Sequence, residues 1–372
     1  MNQVLNGVLF TIACASAAYL ALANLRLAAF ARRPTERARE FLPSVTILKP
    51  IAGLESDLYE NLRSCCDQEY AAPYEVVFAL HGADDPALPV AERLAREFPD
   101  RVRVAAGENS AMRNPKIANL AKPGVHWNGE VVVIADSDIR CDRDYLSAIA
   151  ASFASDDVGA ATCLYAGIPN ASAVSRLGAM QIEEVFIPSV LVALALGPLQ
   201  FCLGATMAVR RSVLESLGGL ASIGSGIADD HKLGELVAER GKRVELSRYV
   251  VRTTVPERTL RELWPHELRW ARTNLALAPV GYAFSFLMYA LPLALLYLAV
   301  SRNLALGLPL LAIVAILRLT LHYLARTALG VERGDDALLI LPRDLLSLGV
   351  WFASLFGRRV RWRERTYRAS SG

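Results

Sequence analysis

Residues 130–140 read EVVVIADSDIR, and this one stretch limits how the chain can fold. Five apolar residues run without alternation into Asp136-Ser137-Asp138. A strand apolar on both faces belongs inside a sheet that is covered on both sides. Two carboxylates one residue apart repel each other, and each resists burial without a compensating positive charge. The strand is therefore expected in a core, with its end at a wet rim. There the two acids serve either as turn chemistry or as ligands of a cation.

The neighbouring segments support a sheet of this kind. Residues 44–49 (SVTILK, stopped by Pro50), Tyr74–Leu80 (YEVVFAL) and residues 101–105 also read as strands. Between them residues 57–67 and 87–97 read as helices, the second with Leu88, Ala91, Leu94, Ala95 and Phe98 at helical spacing. Strands alternating with helices predict an α/β fold with a parallel sheet. Ligands of such sheets bind beyond the carboxyl ends of the strands, where Asp136 and Asp138 sit.

Apolar segments flank this region. Residues 4–30 are mostly apolar, and Arg26, Arg32, Arg33, Arg37 and Arg39 follow or close that run. With no charge ahead of it, the run reads as an uncleaved anchor, residues 1–30. The positive-inside rule places the following chain in the cytoplasm. Residues 282–300 carry no charge and read as the cleanest further span, and 304–317 continue the apolar pattern. Residues 338–356 are interrupted by Pro342-Arg343-Asp344, and the tail, 358–372, is basic. Three full C-terminal crossings would put that tail outside, so the Pro342 segment is expected not to cross. Residues 185–196 are apolar but too short to span. They read either as an interfacial segment that guides a lipid or as a core helix.

Composition excludes several classes of function. The formal charge of +3, with no aromatic-basic interleaving, gives no reason to expect nucleic acid. The six cysteines form no CxxC pair and no group with histidines, which argues against zinc sites and a disulfide framework and favours a reducing compartment.

Four further motifs carry polar chemistry. Lys116 in NPKIANL could neutralise a phosphate or meet a uracil-bearing nucleotide; otherwise it is a solvated loop lysine. Asp84 or Asp85 could contact a base or ribose, or cap the helix that follows. In GSGIADDH, Asp230 could act as general base, or the acids could cap a helix. His266, Arg269 and Trp270 of HELRW crowd cation and aromatic into one turn, which could equally anchor an interfacial helix.

Taken in order, LKPIAGLE, DDPA, NPKIANL, ADSDIR, IADDHKLGELVAERG and ELRWAR resemble the ceramide glucosyltransferase family, a membrane branch of the inverting GT-A glycosyltransferases. The segments SRLGAM, PSVLVALALG and HELRWART are most similar to the bacterial hopanoid-associated group of such enzymes. The resemblance implies a Rossmann-like GT-A domain over residues 43–275, with transmembrane or interfacial helices at 1–30 and 280–357. It implies transfer of glucose or N-acetylglucosamine from a UDP-sugar to a lipid hydroxyl, of ceramide or a hopanoid, at the bacterial inner membrane. Carried over by position, Asp84 or Asp85 and Lys116 would contact the nucleotide and Asp136 the donor. Asp138, with Asp136, would hold Mg2+ or Mn2+. Asp230 would be the catalytic base, and Arg269 with Trp270 would close the site. His266 stands where the family usually has Gln or Arg. A processive polysaccharide synthase would need more membrane helices than this chain offers. A non-catalytic sugar-nucleotide-binding scaffold would have no need of Asp138, Asp230 and Arg269.

Overall fold

Eight strands form one mixed sheet in the computed structural model, which describes residues 2–32, 41–108, 112–226, 228–357, 359–362 and 365–368. The strands are β1 (Val45–Ile51), β2 (Tyr74–Leu80), β3 (Val102–Ala106), β4 (Val131–Ala135), β5 (Ile139–Arg140), β6 (Val158–Pro169), β7 (Thr206–Arg210) and β8 (Arg243–Val255). Their order across the sheet is β3-β2-β1-β4-β7-β6-β8-β5. The first four are parallel, and β7 then runs antiparallel to β4. All five residues of β4 are buried, as their unbroken apolar character requires. Helices Leu58–Cys66 and Leu88–Glu97 lie within one or two residues of their expected bounds.

Pro50 does not stop β1, which runs through it to Ile51. The ladder to β4 ends at Leu48, so by Pro50 the strand has a partner only on the β2 side. A proline with no N–H to give is tolerated where one flank needs no donor.

The described chain falls into two units. A sheet unit comprises residues 34–166 and 197–254; a helical unit comprises 1–33, 167–196 and 255–372. The units interleave in sequence.

Among the described residues of the helical unit, four helices are long and apolar enough to cross a membrane: Gln3–Arg32, Ala173–Leu196, Leu304–Ala328 and Ala337–Ser354. Residues 185–196 are thus not a short isolated segment. They end a longer helix that passes through a π-turn at Ile182–Phe186. Residues 282–300, expected as one clean span, are broken: Pro279–Met288 and Ala290–Ser301 meet at 67°. Pro292 explains the break, because its ring would clash with the carbonyl four residues earlier and is tolerated only in a first turn. Pro342 likewise sits in the first turn of helix Ile340–Ser354, which is otherwise regular. Arg343 and Asp344 of that helix are buried and paired rather than exposed at a membrane surface. All six cysteines are free thiols. Arg33, Arg37 and Arg39 lie outside the described residues, as does part of the basic tail.

Candidate functional site

The sheet unit brings Lys116, Asp136 and the Asp229-Asp230 pair together at the carboxyl end of β4. The Asp136–Asp138 turn is held from below by Lys49, a fully buried residue of β1. Its ammonium donates to the carbonyls of Asp136 (2.7 Å) and Ile139 (3.2 Å), bracketing the turn. Ser137 donates to Glu55 Oε2 at 2.6 Å. The carboxylates of Asp136 and Asp138 flank this anchored residue.

Lys116 is the second residue of helix Pro115–Leu120, capped by the Asn114 side chain, which accepts the N–H groups of Lys116 and Ile117. Its ammonium lies 2.7 Å from Asp136 Oδ1 and 3.1 Å from Asp229 Oδ2, and it donates to the Gly204 carbonyl at 3.3 Å. Burial pulls the Lys116 pKa down, and the charges of Asp136 and Asp229 more than reverse this, so the ammonium stays charged. Asn114 Nδ2 donates to the other Asp229 oxygen at 3.1 Å. Asp229 is thus committed to Lys116 and Asn114.

Asp230, its neighbour on helix Asp229–Glu239, has different surroundings. Its Oδ1 accepts the His231 N–H at 2.8 Å. Its other oxygen faces Gly204, where a β-carbon would lie 3.3 Å from Asp230 Oδ2 and 3.9 Å from Asp136 Oδ2. Burial and then the Asp229 charge push Asp230 up to about 6, against the pull of Lys116. A carboxylate poised near 6 can accept a proton at neutral pH.

Asp138 fits a cation ligand. Its Oδ2 accepts the Thr253 hydroxyl at 3.0 Å, whereas its Oδ1 is buried with no hydrogen-bond partner. Burial, then the charges of Asp136 and Glu55, push its pKa up to about 7. An orphaned oxygen among like charges is what a cation would satisfy. Among the described residues no three His, Cys, Asp or Glu side chains form a complete metal cage. A hard cation such as Mg2+ needs only one or two carboxylates from a protein, with substrate phosphate and water filling its other positions.

Asp85 accepts the N–H groups of Gly53 (3.0 Å) and Ala87 (2.9 Å), tying the loop after β1 to a helix start. Asp84 is exposed. The HELRW segment lies in the other unit, on helix Leu260–Leu277, which opens with a Thr259/Glu262 capping box. His266 Nδ1 pairs there with Glu257, and the His266 ring meets Trp270 edge-on with centroids 4.4 Å apart.

Sequence reasoning missed three contributors to this constellation, Lys49, Asn114 and Gly204, and it singled out the Asp229-Asp230 pair without a role for Asp229. Lys49 and Asn114 had a visible signal, a cation next to a proline at a strand end and an N-cap before Pro115.

The model of glycosyl transferase family 21 matches residues 8–372. The chain belongs to glycosyl transferase family 21. Ceramide glucosyltransferase 3 of Caenorhabditis elegans is 24% identical over 344 residues, an alignment covering 89% of this chain and 74% of that relative. Ceramide glucosyltransferase 1 of the same organism is 24% identical over 244 residues, covering 64% of this chain and 51% of the relative, about half its length. Among solved structures, a mannosyltransferase of Pyrobaculum calidifontis in complex with GDP-Man and Mn2+ matches with a TM-score of 0.52 and 20% identity, over 93% of this chain and 97% of that one. This likeness shows that the family 21 chain has a GT-A fold. Family and relatives together make it a sugar-transferring enzyme.

Proposed function

We propose that this family 21 enzyme is a membrane-bound inverting glycosyltransferase that moves glucose or N-acetylglucosamine from a UDP-sugar to a lipid hydroxyl. The observation that carries the reading is the division of labour at the end of β4. Asp138 keeps a buried, unpartnered oxygen near Asp136, Lys116 supplies fixed positive charge, and Asp230 faces the space left by Gly204. The relatives named ceramide glucosyltransferase support a lipid acceptor, and the mannosyltransferase complex supports a sugar nucleotide with a divalent cation.

Asp138, with Asp136, would hold Mg2+ or Mn2+, which when bound would neutralise charge on the donor diphosphate. Lys116 holds Asp136 in place and adds positive potential where that charge grows. Asp230 takes the proton from the acceptor hydroxyl as its oxygen attacks the anomeric carbon from the face opposite the leaving diphosphate. One displacement inverts the configuration, so an α-linked donor gives a β-linked glycolipid. The resemblance gives Arg269 and Trp270, with His266 beside them, the closing of the donor site. Asp84 is the better nucleotide contact of the DDPA pair, because Asp85 is committed to backbone N–H groups. The acceptor is a ceramide or a hopanoid polyol, met at the cytoplasmic face of a bacterial inner membrane.

The test uses purified protein in nanodiscs with Mg2+ or Mn2+. UDP-glucose and UDP-N-acetylglucosamine are each offered with ceramide or a hopanoid polyol, and products are weighed by mass spectrometry. A new glycolipid that disappears in Asp230→Asn is expected. Folded protein that releases no UDP and forms no product with any pairing would overturn the reading.

A further inference from the structure

Helix Leu260–Leu277 buries Leu263, Glu267 and Ala271 along one stripe, while His266, Arg269 and Trp270 occupy other positions around it. Glu267 is the only charge in that stripe. Each of its oxygens accepts a hydrogen bond from Arg343, at 2.7 Å and 2.7 Å. Arg343 is fully buried. It also donates to the Leu177 carbonyl and to the Ser347 hydroxyl, both at 3.0 Å, and Ser347 donates to Gln181 Oε1 at 2.9 Å. One guanidinium therefore joins helices Ala173–Gln181, Leu260–Leu277 and Ile340–Ser354. The next residue, Asp344, accepts a two-pronged pair from Arg318 at 2.9 Å and 3.1 Å, which pins the helix that carries Arg343.

A buried ion pair is often no more stable than apolar packing of similar volume, and its best-attested use is to fix register. Apolar side chains at 267 and 343 would fill the same stripe and leave the helix free to settle at another angle. A fork-to-fork pair admits one geometry. A slip of one residue turns a helix by about 100°, enough to carry any face away from its target.

We propose that Arg343, acting through Glu267, is a positioning residue for sugar transfer: it fixes the rotation of helix Leu260–Leu277 and so the direction of Arg269 and Trp270. The proposal rests on the role given above to those two residues.

The test compares wild type, R343M and the double variant E267M/R343M as full-length protein in nanodiscs. R343M alone unfolds at lower temperature, because it leaves Glu267 buried without a partner. The double variant unfolds at or above the wild-type temperature, yet kcat falls about 10- to 100-fold with donor KM within about twofold. A double variant with wild-type kcat would overturn the proposal. Spin labels at the exposed positions Asn274 and Leu338, introduced as cysteines, read the helix setting without any turnover. A narrow distance distribution that broadens or shifts in the double variant supports the proposal; an unchanged one refutes it. Should wild type make no product at all, the transferase reading fails, and the label distances alone decide the positioning role.

Discussion

Asp229 and Asp230 are adjacent carboxylates that their surroundings assign to different tasks. Asp229 is held by Lys116 and Asn114, whereas Asp230 keeps one oxygen facing the gap at Gly204. Its carboxyl is raised to about 6, so the folded protein binds that proton more tightly than the unfolded chain does. The stabilisation from this group is therefore complete below about pH 4 and is lost as pH rises through about 6. Asp230→Asn should abolish transfer and raise the unfolding midpoint at pH 7.5 by about 2–4 °C, with the gap closing by pH 4. A lower midpoint at pH 7.5 would contradict this environment. In wild type, kcat/KM should fall as pH drops through about 6, where the base becomes protonated. The acids of this site were legible in the sequence because carboxylates after an apolar run, or in a glycine-rich turn, are conspicuous. What they bind to was not. Nothing in the spacing of Asn114, Gly204 and Asp229 says that three loops converge, because convergence is a property of the sheet order.

At the scale of elements, strands were easier to read than membrane-type helices. The run at β4 is apolar throughout, β2 is apolar from Val76 onward, and both end at turn residues, so their bounds follow from local chemistry. Helix Ala173–Leu196 hides its length because Glu183 and Glu184 sit in its middle, where charge usually ends an apolar helix. Both are neutralised from far along the chain. Glu183 takes Arg333 at 2.6 Å, and Glu184 takes Arg318 at 2.7 Å and His322 at 2.8 Å. Arg318 also holds Asp344, so one side chain satisfies two buried acids on different helices. Removing one partner of such a group leaves uncompensated buried charge, which costs about 3–5 kcal/mol. Arg318→Met should therefore lower the thermal midpoint in detergent by about 10 °C. Adding Glu184→Gln and Asp344→Asn to that variant should recover most of the loss. A single variant as stable as wild type would show that these charges are solvated rather than paired.

For the whole molecule, length and composition among the described residues allow up to five membrane crossings, and the connectivity leads us to expect three. Residues 34–166 and 197–254 build one unit, with β7 between β4 and β6 in a single sheet. Helix Ala173–Leu196 leaves that unit and returns to it, so both of its ends belong on one side of a bilayer. A straight helix cannot cross and meet that condition. Helix Ile340–Ser354 is held near both ends by one helix, through Arg343 to Glu267 and the Phe356 carbonyl to Arg272. Thirteen residues separate Arg343 from Phe356, about 20 Å against a hydrocarbon core of about 30 Å. That leaves Gln3–Arg32, the bent pair and Leu304–Ala328. Ser16 donates to the Leu287 carbonyl, Phe10 meets Tyr297 with ring centroids 5.3 Å apart, and Asn24 donates to the Leu317 carbonyl at 3.1 Å. The bent pair therefore moves toward the Asn2 end of the first helix, and Leu304–Ala328 returns toward its Arg32 end. The turn at Arg302 then lies at the Asn2 end of the first helix, while Leu196, whose helix takes a hydrogen bond from Arg26 at the Leu191 carbonyl, and Leu338, beyond the returning helix, lie at its Arg32 end. Single cysteines at these three positions, in sealed inverted and right-side-out vesicles, should sort this way with a membrane-impermeant thiol reagent. Labelling of Leu338→Cys or Leu196→Cys from the side that labels Arg302→Cys would refute the three-crossing arrangement.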